Sequence, residues 1–140
     1  MYGCRDMTSE LAHVGLDRPV RDVMSAGVIT IAEDASISQA RHAMARHRVN
    51  AVLVLARRDS APLGWVTSRG LLGWIERQPT LTSVGRAISE PVRTIDARAP
   101  IADAARELAL GDVSHLLVCG GSGRFPEGVV SALDIVVASG

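Results

Sequence analysis

The sequence predicts an α/β fold of the α+β type, built as two pseudo-symmetric β-α-β-β-α repeats packed into one module. Its 140 residues repeat at a fixed offset of 64 with no gap. Of the 57 pairs between residues 20–76 and 84–140, 15 are identical, among them Val20/Val84, Ser25/Ser89, Ile37/Ile101, Leu53/Leu117, Gly64/Gly128 and Val66/Val130. Conservative pairs such as Met44/Leu108, Thr67/Ser131 and Leu71/Ile135 fill many of the gaps. Each copy also shows the same succession of apolar runs and helix-spaced positions. A unit that leaves one apolar face open needs a second unit to close it, so two copies in register predict a packed pair. An apolar content of 47% is enough to fill such a core.

The elements follow in order. Residues 28–31 and 92–95 are short, β-branched segments suited to a strand or an extended entry. After Ser36 a helix sets Ile37, Ala40 and Met44 three and four residues apart, with Gln39, Arg41, His42 and Arg46 on its other faces. The second copy repeats this with Ile101, Ala104 and Leu108 inside, Asp103, Arg106 and Glu107 outside, and Pro100 near the first helical position. Continuous apolar runs over 49–55 and 113–119 read as buried strands. Polar and glycine-rich turns follow at 57–62 and 120–126, then third strands at 64–66 and 128–130. A second helix opens at Thr67 in one copy and Ser131 in the other. The expected boundaries are a tail or short helix over 1–17, a first repeat over 18–77, a linker over 78–83 and a second repeat over 84–139.

Charge and cysteine usage narrow the function classes. The net charge is zero, but the repeats differ: nine Arg against five acids over 18–77, and five Arg against seven acids over 81–140. That is too little for the basic stripe of a duplex-binding domain, though it leaves room for a local anion site. Cys4 and Cys119 stand 115 positions apart, so no CxxC pair or metal knuckle forms, and Cys119 reads as a small core residue. No window approaches a membrane span. With no signal peptide and no cysteine framework, the expected location is a reducing cytoplasm. No Ser-His-Asp spacing, carboxylate pair, metal cluster or P-loop can be assembled, and His13, His42, His47 and His115 fall on different elements. The chain is therefore expected to be non-enzymatic, with no catalytic cofactor and no metal.

The opening Val20-Arg21-Asp22-Val23-Met24-Ser25, the strand beginning Val113-Ser114-His115, and above all Gly128-Val129-Val130-Ser131-Ala132-Leu133-Asp134 resemble the cystathionine-β-synthase (CBS) domain. Two such domains in tandem form a Bateman module, and the resemblance covers about residues 18–139. It implies a regulatory, energy-sensing type of unit that binds AMP, ADP, ATP or S-adenosylmethionine in a cleft between the repeats and pairs into flat homodimers.

The Gly-x-x-Ser/Thr-x-x-Asp pattern also makes chemical sense by itself. Gly128 permits close approach to the strand, the Ser131 hydroxyl and free helix N–H groups can hold a phosphate, and Asp134 can accept both ribose hydroxyls. The same Ser131 and Asp134 spacing is also a capping box. In the first repeat the motif reads Gly64-Trp65-Val66-Thr67-Ser68-Arg69-Gly70, with Gly70 in place of the carboxylate and a bulky Trp65 expected to narrow the pocket. By resemblance, the turn after the first helix of one repeat reaches the phosphates of the nucleotide held by the other repeat's Asp. That turn is Arg46-His47-Arg48 in the first repeat and Leu110-Gly111-Asp112 in the second, so the basic turn belongs with Asp134. A solvated helix C-terminus, where cations suit the dipole, is the alternative for Arg46, His47 and Arg48. The resemblance further implies that the base lies against Val113, Ser114 and His115, with small Ala104 leaving room. His115 also reads as a half-buried structural residue.

Two functional expectations of different class result. One is a sensor that takes a single adenosine-containing ligand at Asp134. The other is a ligand-free module that dimerises or docks an unidentified regulated protein. The second helices carry Leu71, Leu72, Trp74 and Ile75 in one repeat and Ile135, Val136 and Val137 in the other, more than one helix face needs, so a homodimer through them is expected.

Overall fold

The computed structural model describes residues 15–77, 81–120 and 125–139. Residues 1–14 of the expected tail and 78–80 of the expected linker lie outside them. Gly15 and Leu16 are helical, and Leu16 packs on an apolar core.

The chain forms two compact units, and these are not the two linear repeats. The described residues between 28 and 92 make one unit, while those of 15–27 and 93–139 make the other.

In the 28–92 unit, β2 (Thr30–Ala32) runs parallel to β3 (Ala51–Leu55), which pairs antiparallel with β4 (Pro62–Thr67). Helix α1 (Ile37–His47) follows β2 and carries a capping box, with the Gln39 N–H donating to Ser36 Oγ and the Ser36 N–H to Gln39 Oε1. Its spaced Ile37, Ala40 and Met44 are all buried. Helix α2 (Ser68–Leu71) is a single turn that continues as a 3-10 segment over Leu72–Arg77. The core gathers Ile37, Ala40, Met44, Val52, Val54, Val66, Leu71 and Val84.

The other unit repeats this architecture with one added strand. Its sheet runs β1 (Ser25–Ala26), β7 (Phe125–Ser131), β6 (His115–Gly120), β5 (Thr94–Asp96), with helices α3 (Ile101–Gly111) and α4 (Ala132–Ser139). The core there includes Ile101, Ala104, Leu108, Leu116, Val118, Val130, Ile135 and Val20, beside Ile95, Ala97 and Val113. The first eight of these match the eight named for the other unit at the 64-residue offset.

The placement of Val20 and Val84 explains the units. Val20, at the start of the first repeat, packs in the core of the second, and Val84, at the start of the second, packs in that of the first. The bonds are copied too: the N–H groups of Val20, Arg21 and Ile101 donate to the carbonyls of Ala99, Ala97 and Arg18, and those of Val84, Gly85 and Ile37 to Ala35, Glu33 and Thr82. Each repeat thus lacks one apolar plug that the lead-in to the other copy supplies. Periodicity cannot show this exchange, because an apolar residue reads the same whichever core it fills.

Smaller departures from expectation lie at element ends. Pro100 is the N-cap of α3 and Ile101 its first helical residue, a shift of one position that suits the ring's fixed φ. The paired part of each first strand starts two residues later than the apolar run, at Thr30 and Thr94.

Candidate functional site

Chain direction reverses at the end of β7, where Ser131 closes the strand and Ala132 opens α4. The register sets His115 opposite Ser131, and the Ala132 N–H donates to the Ser114 carbonyl at 3.0 Å. Ser131 and Asp134 bond reciprocally: the Ser131 N–H donates to Asp134 Oδ2 at 2.8 Å, and the Asp134 N–H donates to Ser131 Oγ at 3.2 Å. This is a capping box, as the spacing allows. It uses one carboxylate oxygen and the acceptor side of one hydroxyl. Asp134 Oδ1 and the Ser131 hydroxyl proton enter no hydrogen bond with the described residues, and both side chains are half-buried. One pair of residues can therefore cap a helix and still offer an acceptor and a donor side by side.

Gly128 is required by the backbone beside it. It lies in β7 opposite Ala26 of β1, and a Cβ there would come within 2.3 Å of the Ser25 carbonyl oxygen and 2.8 Å of the Met24 sulfur. The close approach that a glycine permits is that of the neighbouring strand.

Other expected site residues take different positions. Ser114 is exposed, His115 is 5% exposed on β6, and Val113 and Ala104 are core residues of their unit, packed with Leu116 and Val130. Ala104 is fully buried, so its small side chain fits the α3 packing. Arg46, His47 and Arg48 end α1 in the 28–92 unit, all exposed. Arg48 is left-handed at φ 55° and donates its N–H to Met44. Neither Arg46 nor Arg48 joins an ion pair among the described residues, and at a helix C-terminus their charges suit the dipole. Asp112 holds the same left-handed position after α3 at φ 52°. There the Arg93 guanidinium packs over Gly111, bringing a cation to the carbonyl end that an acid alone would disfavour.

The first repeat's motif is closed locally. Thr67 is 6% exposed, and its Oγ1 accepts the Gly70 N–H at 2.9 Å and lies 3.1 Å from Ser89 Oγ. Trp65, expected to narrow a pocket, is instead a core side chain at 1% exposure. Ser89 was legible only as one of the 15 repeat identities, and nothing in the sequence alone says that it meets Thr67. Among the described residues no group of three or more His, Cys, Asp or Glu is gathered for a metal, and no helix is long and apolar enough to cross a membrane.

A family model described as CBS domain matches residues 20–77 and again 84–140. The uncharacterized protein MJ1404 of Methanocaldococcus jannaschii is 30% identical over 135 residues, 86% of this chain and 31% of that protein, so the chain spans about a third of that relative's length. The CBS-domain containing protein ATU1752 from Agrobacterium tumefaciens is 26% identical, with a TM-score of 0.73 over 89% of this chain and 95% of that one. The CBS domain of the bacterial CNNM/CorC family Mg2+ transporter in complex with ATP superposes with a TM-score of 0.78 at 17% identity, covering 96% of each chain. The CBS domain protein PAE2072 from Pyrobaculum aerophilum, complexed with AMP, gives 0.70 at 20% identity over 83% and 88%.

Proposed function

We propose that this chain, which belongs to the CBS domain family, is a non-enzymatic regulatory module that binds an adenosine-containing ligand, AMP, ADP, ATP or S-adenosylmethionine, through Ser131 and Asp134. The observation that carries this reading is the division of labour at the start of α4. Asp134 Oδ2 and Ser131 Oγ complete the cap, and Asp134 Oδ1 with the Ser131 hydroxyl proton is left for a ligand. A carboxylate oxygen there accepts from a ribose hydroxyl, and the Ser131 hydroxyl donates to a ribose or phosphate oxygen. Ser114 and His115 contribute the neighbouring edge. Arg46, His47 and Arg48 are the cationic groups assigned to the phosphates. The ATP and AMP complexes of proteins with the same fold support the ligand class.

Thermal unfolding with and without AMP, ADP, ATP and S-adenosylmethionine tests the proposal. A ligand that binds only the folded chain raises the midpoint with concentration. No shift with any of the four at millimolar concentration contradicts it.

A second reading has its own observation. Leu72, Ile75, Leu133, Val136 and Val137 are each between 59% and 70% exposed, an apolar surplus on the second helices of both repeats. It favours a homodimer through those helices, with or without a ligand.

A further inference from the structure

We infer that Ser89 is the residue that keeps the first repeat's motif shut, and that Gly70 and Ser89 form a coupled pair which limits the chain to one working Gly-x-x-Ser/Thr-x-x-Asp site. Only the statement about binding stoichiometry rests on the proposed function. The coupling itself stands on packing.

A Cβ at Gly70 would fall 2.7 Å from Ser89 Oγ, 2.9 Å from Ser89 Cβ and 3.1 Å from Thr67 Oγ1. The hydroxyl can rotate, but the Cβ cannot leave without its backbone. That backbone is pinned to β4, since the Ser89 N–H donates to the Trp65 carbonyl and the Trp65 N–H to the Glu90 carbonyl, each at 2.9 Å. Ile88 holds the same segment from the other side, with its Cγ2 2.4 Å from where a Cβ on Gly64 would stand. Ser89 also gives the Thr67 hydroxyl a partner at 3.1 Å, whereas the Ser131 hydroxyl of the other repeat only accepts the Asp134 N–H. The absent carboxylate at residue 70 is thus more than a missing group, because its space is already taken and the Thr67 hydroxyl already has a partner.

The sign of one substitution tests this. Gly70 is helical and its φ is not positive, so alanine in its place would ordinarily stabilise the helix. Gly70→Ala is expected instead to lower the melting temperature, by roughly 5 °C or more for a domain of this size. In a Ser89→Gly background the same substitution is expected to raise it. Ser89→Ala serves as the control for the lost hydroxyl alone, leaving the Cβ clash in place, and should not reverse the sign. Gly70→Ala as stable as the parent in the native background overturns the coupling. In calorimetric titration with ATP, Gly70→Asp is expected to keep the parent's stoichiometry of one per chain, and a rise to two overturns the claim that Ser89 closes the motif. If the parent binds none of AMP, ADP, ATP and S-adenosylmethionine, the nucleotide reading fails while the sign reversal still decides the coupling.

Discussion

The amide of Val20 donates to the carbonyl of Ala99 at 2.8 Å, and both residues belong to the unit that carries most of the second repeat, although Val20 opens the first. Sixty-four positions later Val84 does the same with Ala35 at 2.6 Å. Both valines are fully buried. Removing two methyl groups from either leaves a cavity, so Val20→Ala and Val84→Ala should each cost about 2 kcal/mol. Urea denaturation checks this. An effect below a few tenths of a kcal/mol at both positions would show that the exchanged lead-ins do not support the cores.

Much of that architecture was readable beforehand, and its limits have physical causes. Ile37, Ala40 and Met44 announced a buried stripe because helical spacing admits few other readings. The strands are legible in apolar stretches such as 116–119. The exchange of lead-ins was hidden because sequence order does not reveal which equivalent core a short apolar plug enters. At the site, Ser131 and Asp134 were legible as a pair from spacing. The burial of Trp65 is not legible because bulk says nothing about which side of a strand a residue faces, nor is the role of Ser89, because its partner Thr67 lies 22 residues away.

Arg46 and Arg48 offer a test that separates phosphate recognition from a solvated helix end. Replacing both with Ala should weaken ATP at least tenfold, the scale of a lost charge-assisted contact of about 1.5 kcal/mol or more, and leave adenosine nearly unchanged. Equal effects on ATP and adenosine, measured by calorimetry, would assign the two arginines to the helix dipole alone.

Cys119 lies in β6 with 6% exposure, and burial raises its thiol pKa, helped by the nearby Glu127 and Asp96 carboxylates. Iodoacetamide should therefore modify Cys119 slowly in the folded chain and rapidly in urea, as peptide mapping by mass spectrometry would show. The linkage has a definite sign. A folded pKa above the unfolded one leaves stability intact below about pH 8.5 and erodes it above, as the thiol ionises first in the unfolded chain. Rapid labelling of Cys119 in the native state at pH 7 would contradict the burial.

The exposed apolar surplus on α4 and the 72–77 segment predicts self-association. Light scattering at micromolar concentration should give twice the mass of one chain, and Val136→Glu or Ile75→Glu should return it to one without unfolding, since both side chains are already exposed. A monomeric parent chain would leave that face to a different partner.

Asp134 carries the central claim, and a calorimetric titration of the parent and Asp134→Ala with AMP, ADP, ATP and S-adenosylmethionine tests it most directly. Losing hydrogen bonds to a charged group, worth about 1.5–3 kcal/mol, should weaken the bound ligand by roughly ten- to a hundredfold. The lost cap should lower folding stability by only about 1 kcal/mol. A variant that remains folded and binds as tightly as the parent would contradict the account and leave Ser131 and Asp134 as the cap of α4.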